Sequence, residues 1–482
     1  MAGWIAASRV RGALTGALLC VAVAALLPRP SPPGPDELAP NILIVLTDDQ
    51  SIDTLPSAVG APPMPWLQSQ IQDPAQPWVT FTNAFLDTPL CCPSRASILT
   101  GLTSPHTGVQ TNADGFDLDA SSTLATWLND AGYTTGLIGK YLNDFPWDRG
   151  PSVPPGWDRF VAKQNAGLDT TYYGYSLIDQ GVPQFVASSP QGYATTYLAE
   201  EAMSFLRAAP AGEPWFLVYS PPAPHEPWLA APGDRGAFTG QPVSSPSLRE
   251  MNDVRGKPAW IRSLLPITEA HRALLLTQRR RASETLLEVD RVMQAMTEQV
   301  RARGELDRTI IVFLTDNGFS FGEHRWTGKR CPYEACVRTP LAIRSPWAAH
   351  STVDDLVLNV DLAPTVLDFV ASSGTVAHPA VDGASLHPYL DASSTDPPPE
   401  RPGVLLQYTG DAEVPAWAAV RTREFTFIRT SDGTVELYDL LGRFGEPDPG
   451  ELRNLADDVR SGSVVAELDS LLESLVRAPT RG

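Results

Sequence analysis

Long apolar runs are missing from this 482-residue chain except near its start, so its interior offers no membrane span. Positive charge is scarce as well. Lys and Arg number 36 against 55 Asp and Glu, a formal net charge of −19. That balance argues against nucleic acid and against an anionic membrane surface as partners. It leaves a small anionic substrate open, because local charge can oppose the global sign. Only five cysteines are present, two of them adjacent at Cys91 and Cys92. A tetrahedral metal site would need a second pair at a suitable distance, so the doublet is either incidental or chemical. There is no internal repeat. What remains is ordinary for a globular enzyme, with 43% hydrophobic and 19% charged residues, and 46 Pro and 36 Gly for a turn-rich surface. The length suits one large domain with a smaller one, or two comparable domains.

The start, "MAGWIAASRVRGALTGALLCVAVAALLPRPSPPGP", places Arg9 and Arg11 before an apolar run from Ala13 to Leu27. The run is short for a span and suits the core of a signal peptide, with Ala22-Val23-Ala24 as a cleavage site. The alternative is an uncleaved anchor. Cys20 lacks the small residue before it that a lipoprotein anchor wants. Export implies an oxidising compartment, in which Cys331 and Cys336 would pair. The expected location is secreted or extracytoplasmic, without stable membrane insertion after cleavage.

"NILIVLT" (41–47), "PWFLVYS" (214–220) and "TIIVFLT" (309–315) are continuous apolar, β-branched runs, the pattern of buried parallel strands. Between the last two, Leu286, Val289, Met293, Met296 and Val300 step by three and four, one apolar face of a helix. Strands alternating with helices predict an α/β fold with a mostly parallel central sheet. "VLNVDLAPTVLDFVA" (357–371) reads as a strand end followed by a helix with Pro364 in its first turn. Beyond it, "WAAVRTREFTFIRTSDGTVELYDL" alternates in short runs around a turn at Asp432-Gly433, which predicts a small antiparallel sheet. "VVAELDSLLESLV" predicts a terminal amphipathic helix. The expected division is 1–38 signal peptide and Pro-rich linker, 39–372 catalytic domain, and 373–482 a smaller α+β subdomain.

Ligands in such sheets gather at the carboxyl ends of the strands. Here the strand at 41–47 ends in Asp48-Asp49 and the one at 309–315 in Asp316-Asn317. Either pair alone is common turn chemistry. Together they supply four hard oxygens, three from carboxylates, which suit Ca²⁺ or Mg²⁺ rather than zinc.

The stretch "CCPSRASILTG" (91–101) resembles the sulfatase signature C-x-P-S-R-x-x-x-L-T-G. "NILIVLTDDQ", "LIGKYLN", "PPAPHEPW", "FLTDNGFSFGEHRWTGKRCPYEACVRTPLAI", "VDLAPTVLDFVA" and "ELYDLLGRFGEPDPGELRNLA" also look like sulfatase segments, in sulfatase order. The resemblance spans essentially the whole chain after the linker and implies the alkaline phosphatase superfamily fold. It further implies that a formylglycine-generating enzyme converts Cys91 to formylglycine, while Cys92 is the variable position. Asp48, Asp49, Asp316 and Asn317, with the modified Cys91, would bind Ca²⁺. Arg95 would hold the formylglycine hydroxyl, Lys140 and Lys329 would stabilise the sulfate, and His225 would serve the ester oxygen as leaving-group acid. Asn143 and His324 would line the substrate pocket, and His106 is structural. A hydrated aldehyde explains the modification. One hydroxyl attacks sulfur and the other lets sulfate leave, so the second step becomes easy.

Many arylsulfatases read G-K-W-H where this chain has "GKYLN". That departure resembles the branch holding N-acetylglucosamine-6-sulfatases and extracellular heparan sulfatases, and it leaves the elimination base unassigned. The expected function is hydrolysis of a sugar or aryl sulfate ester. The alternative is a phosphonate or phosphate diester hydrolase of the same superfamily. A catalytically dead carbohydrate-binding module predicts a broken signature, and a membrane-anchored transferase predicts a Thr nucleophile and several spans. Neither is seen.

Overall fold

The computed structural model describes residues 39–55, 61–143, 145, 150, 152–164, 172–241, 251–371 and 379–478. The expected export signal and linker, and the domain boundary near residue 372, lie outside them. Among the described residues no helix is long and apolar enough to cross a membrane.

β1 (Asn41–Thr47) is buried at all seven positions because it is covered on both faces. Ile42, Ile44 and Leu46 pack into one apolar cluster, and Leu43 and Val45 into another on the opposite side of the sheet. Before its neighbours in the chain come β2 (Trp78–Phe85), β3 (Thr134–Gly139), β4 (Arg159–Lys163), β5 (Tyr175–Asp179) and β6 (Val182–Val186). β7 (Trp215–Ser220) and β8 (Thr309–Thr315) flank β1 in parallel, with Leu43 opposite both Leu217 and Ile311. β9 (Ser320–Phe321) and β10 (Thr327–Gly328) form a short separate ribbon. β11 (Leu341–Arg344) and β12 (Ser351–Leu358) complete the ten-stranded sheet, ordered β12-β2-β11-β8-β1-β7-β3-β4-β5-β6. It is parallel through its centre and antiparallel where β11 meets both neighbours and at the β4-β5-β6 edge.

One face carries the helices Cys91–Thr100 and Leu362–Ala371, and the other carries Ala194–Ala208 and Glu269–Ala302. In the last of these, Leu286, Val289, Met293, Met296 and Val300 are all buried, as their spacing predicts. Each such side chain contributes roughly 1.5–3 kcal/mol of transfer free energy. β13 (Val404–Tyr408), β14 (Trp417–Arg421), β15 (Phe425–Thr430) and β16 (Val435–Asp439) form the expected small antiparallel sheet, closed by the amphipathic helix Gly462–Val476. Val404, Leu406, Trp417 and Ile428 share an apolar cluster with Phe85, Leu356 and Val360, so this sheet packs on the large one.

Because β3, β7, β1 and β8 run parallel, their carboxyl ends share one edge. Gly139 ends β3 opposite Ser220 at the end of β7. A Cβ on Gly139 would lie 1.9 Å from the Ser220 carbonyl oxygen, and its φ is +125°. Only glycine lets the two backbones meet here, and the next residue, Lys140, donates its N–H to that same oxygen at 2.7 Å. Gly139→Ala is therefore expected to destabilise by about 3 kcal/mol or more, from strain and backbone displacement. A thermal melt superimposable on that of the wild type would reject this.

Candidate active site

The helix Cys91–Thr100 is buried at every one of its ten positions. Its polar residues are accepted because they are satisfied. The Ser97 hydroxyl donates to Asp87 Oδ2 at 3.1 Å, and Asn359 Nδ2 donates to Ser94 Oγ at 3.1 Å. Asp87 also takes the Ser104 N–H and the Asn359 amide. Burial nevertheless pushes the Asp87 carboxyl up to about 6. Cys91 opens the helix, where the helix dipole favours negative charge.

Cys91 Sγ lies 3.7 Å from Asp48 Oδ1, 3.9 Å from Asp49 Oδ1 and 2.8 Å from Lys329 Nζ. Asp48, Asp49, Cys91 and Asp316 each place a ligand atom within 4.8 Å of the others, and all four are buried. Asn317 Nδ2 donates to Asp49 Oδ1 at 2.6 Å, while its Oδ1 is buried without a partner. An orphaned amide oxygen beside three carboxylates is a donor set of hard oxygens, and it fits a Ca²⁺- or Mg²⁺-type ion.

Cations interleave with these acids. Lys140 Nζ reaches Asp48 Oδ2 at 2.6 Å and Asp316 Oδ2 at 3.7 Å. Lys329 Nζ reaches Asp49 Oδ1 at 2.7 Å. Arg95 Nε donates to Asp316 Oδ2 at 2.8 Å, and its Nη1 donates to the Lys140 carbonyl and to Ser220 Oγ. Burial alone would raise the Asp48 and Asp49 carboxyls. Lys140 for the first and Lys329 for the second, each with His225, outweigh it and hold both below the usual carboxylate range. Burial pushes the Cys91 thiol up to about 12 against the pull of Lys140 and Lys329. As a cysteine it is a neutral thiol and a poor nucleophile.

His225 follows β7 and places Nε2 3.4 Å from Asp49 Oδ2. Its Nδ1 is 2.8 Å from the Glu226 carbonyl, which can only accept, so Nδ1 carries a proton. Cys331 and Cys336 form a disulfide just after Lys329, with the sulfurs 2.09 Å apart.

Residues 40–372 match the sulfatase family profile, and 322–478 match the C-terminal region of N-sulphoglucosamine sulphohydrolase.

The chain belongs to the sulfatase family.

This sulfatase is 28% identical to an N-acetylglucosamine-6-O-sulfatase of Bacteroides thetaiotaomicron over 95% of its own length and 89% of the relative's. It is 31% identical to the human N-acetylglucosamine-6-sulfatase, covering 77% of this chain and 68% of that one. A solved protein in complex with its substrate D-glucosamine-2-N,6-O-disulfate superposes with a TM-score of 0.78 at 27% identity, over 90% of this chain and 97% of that one. The phosphonate monoester hydrolase of Agrobacterium radiobacter, at 22% identity and a TM-score of 0.70, shares the fold over 91% of this chain and 95% of its own. The sulfatase is thus a sulfuric ester hydrolase.

The fold brings Asp48, Asp49, Cys91, Arg95, Lys140, His225, Asp316, Asn317 and Lys329 to one strand-end cluster. It treats two expected pocket residues differently. Asn143 leaves its buried Oδ1 without a partner, and its carbonyl oxygen lies 2.6 Å from the point where Gly115 would carry a Cβ, a point 3.4 Å from the Cys92 sulfur. His324 is buried at φ +55°, with its ring 4.5 Å from that of Tyr333. Burial holds it well below its usual pKa, so it is neutral. It faces a cavity of about 350 Å³ lined by Arg279, Glu323, Tyr333 and Glu451, to which no residue of the cluster contributes. His106 sits at the surface, with Nδ1 2.7 Å from Asp382. Sequence reasoning missed Ser220, which anchors Arg95. Its only signal was its place as the last residue of an apolar run.

Proposed function

We propose that this sulfatase hydrolyses the 6-sulfate of a glucosamine-type sugar with a formylglycine made from Cys91 and a bound Ca²⁺, Mg²⁺ being the other cation this donor set suits. The observation that carries the reading is the cluster itself, with Cys91 at a helix N-terminus, touched by Lys329, beside three carboxylates and one unpaired amide oxygen. The sugar is supported by the relatives named for N-acetylglucosamine 6-sulfate and by the similar structure holding a 6-O-sulfated glucosamine. Export through residues 1–38 is supported by Arg9 and Arg11 before the apolar run and by the Cys331–Cys336 disulfide. The formylglycine-generating enzyme is then a partner during maturation.

Asp48, Asp49, Asp316 and Asn317 would hold the cation, which when bound lowers the pKa of an attacking hydroxyl and polarises sulfate oxygens. The formylglycine hydrate would supply that hydroxyl and a second one for sulfate release. Three buried carboxylates already balance Lys140, Lys329 and Arg95. A dication added to this set leaves a net positive pocket, so an acidic protein binds an anion. Lys329, at the Cys91 sulfur, would meet the charge that develops on the transferring sulfate. Arg95, fixed by Asp316, the Lys140 carbonyl and Ser220, orients rather than moves. His225 holds Nδ1–H against the Glu226 carbonyl. Protonation of Nε2 makes the imidazolium that would give its proton to the leaving sugar oxygen.

The test compares sulfate release from N-acetylglucosamine 6-sulfate and an aryl sulfate with hydrolysis of an aryl phosphodiester. The mass of the peptide containing Cys91 is read beside it, with formylglycine about 18 Da lighter than cysteine from exchange of a thiol for an aldehyde. Dominant phosphodiesterase activity would overturn the reading. Lys329→Ala is expected to lower kcat by about 10²–10³-fold, as for other lost charge stabilisers, with a melting temperature close to wild type. Undiminished kcat would remove Lys329 from the mechanism.

A further inference from the structure

A second cleft, of about 520 Å³, opens beside the loop that follows β7. Trp228 forms part of its wall. This residue lies three positions after His225 in a turn closed by the Trp228 N–H and the His225 carbonyl at 3.4 Å. Its half-buried indole also rests against Phe319 and Phe321, with ring centroids 6.1 and 5.9 Å away, on the segment leaving Asp316-Asn317. Trp228 is thus tied to two of the chain segments that depart from the catalytic cluster. A three-residue span also keeps its backbone within about 10 Å of that of His225.

The charged part of the lining is mostly basic. Arg235 comes from the loop, and Arg280 and Arg281 from the helix Glu269–Ala302, with Thr277 and Glu284 beside them. Among the described residues of the lining, three guanidinium charges less the one of Glu284 leave two positive charges, in a chain whose formal charge is −19. Arg280 is held by donating Nε to the Gln241 carbonyl at 3.0 Å. Among the described residues, Arg235 and Arg281 are exposed and have no carboxylate partner. Guanidinium groups match the planar geometry of carboxylate and the oxygens of sulfate, and an indole face suits the apolar side of a sugar ring. Unpaired arginines around a concave, aromatic-walled site are a poor arrangement for stability alone and a good one for an anionic ligand.

We propose that this cleft is a second sugar subsite, which takes an anionic ring bearing a carboxylate or a sulfate next to the sugar whose ester is cut. The proposal rests on the sulfated-sugar reading above. It makes the enzyme a reader of the neighbouring residue in an acidic oligosaccharide, with Arg235 and Arg281 as specificity determinants and Trp228 as a platform.

The test is steady-state kinetics of the full enzyme and the double variant Arg235→Ala/Arg281→Ala. The substrates are N-acetylglucosamine 6-sulfate alone, the same sugar linked to a neutral hexose, linked to a uronate, and linked to a 2-O-sulfated uronate. For the two anionic disaccharides the variant is expected to raise KM about tenfold or more, from the loss of two exposed charge-assisted contacts, with kcat retained. The larger rise identifies carboxylate or sulfate as the group read. KM for the monosaccharide and the neutral disaccharide stays within about twofold, and Trp228→Ala raises KM for every disaccharide. Added salt raises the wild-type KM for the anionic pair and has less effect on the variant. If all four sugars are cleaved and the variant matches wild type on the anionic pair, the subsite alone falls. If the enzyme cleaves an aryl sulfate and none of the sugars, the sugar reading and the subsite fall together.

Discussion

Cys91→Ala is expected to abolish sulfate-ester hydrolysis, whereas Cys92→Ala keeps most of it. Both sulfurs are buried, so exposure does not separate them. Surroundings do. Cys91 Sγ touches Lys329 and the Asp48 and Asp49 oxygens. Cys92 Sγ lies 3.4 Å from the point where Gly115 would carry a Cβ, and the residue sits in an apolar cluster with Ala96 and Leu142, which is a packing environment. Losing Cys92 Sγ removes one buried atom, at roughly 1 kcal/mol. Losing Cys91 would remove the proposed covalent centre and, with it, measurable turnover. Cys91→Ser fails as well, because a single hydroxyl offers no second group to release sulfate. The assay is turnover of a chromogenic aryl sulfate beside a melting curve for each variant. Full activity in Cys91→Ala would sink the covalent mechanism. A folded but inactive Cys92→Ala would mean that this sulfur does more than fill space.

Removal of divalent cations should lower activity and thermal stability together. Asp48, Asp49 and Asp316 are buried within one ligand shell. A cation that binds only the folded chain stabilises by RT ln(1 + [L]/Kd), about 4 kcal/mol at a thousandfold excess over Kd. In a chain of this size that is a shift of several degrees. Asp316→Ala should be more severe than chelation. It also leaves Arg95 buried with its Nε unpaired, and breaking such a pair typically costs about 3–5 kcal/mol. Asp316→Asn keeps the shape and part of the hydrogen bonding, so its smaller loss of stability isolates the ligand role. The measurement is a melt with and without chelator, read beside hydrolysis and restored by Ca²⁺. A chelated protein that melts unchanged and still hydrolyses the ester would make these four oxygens turn residues.

The central strands were legible because burial on both faces writes itself as an unbroken apolar run. The runs at 41–47 and 309–315 coincide with β1 and β8, and the one at 214–220 with β7 to within one residue. The edge strand β6, "VPQFV", is exposed at four of its five positions, so no core pressure shaped its sequence. β2 and β11 insert antiparallel pairings that depend on partners far along the chain, such as Phe81 with Leu341, and no local pattern encodes that choice. The helix Cys91–Thr100 has no solvent-exposed face and therefore no helical period to read. Its place came from the signature alone. Among the site residues, charged side chains at strand ends were readable because a buried charge needs a reason. The neutrality of His324 was not, since it follows from burial and the Lys257 charge, which only the folded chain brings to it.

Cys91 is 1% exposed, at the head of a helix that shows none of its residues to solvent. A second protein cannot reach that sulfur once the sheet has closed over it, so the proposed conversion is a race against folding. The contact partner Lys329 lies 238 residues further along the chain. At roughly 5–20 residues per second of synthesis, the window stays open for roughly 10–50 s. Under that proposal, molecules that missed it would be sealed as cysteine, and adding the modifying enzyme later would not recover them. The specific activity of a preparation is then a record of how that race was run during synthesis, fixed for the life of each molecule.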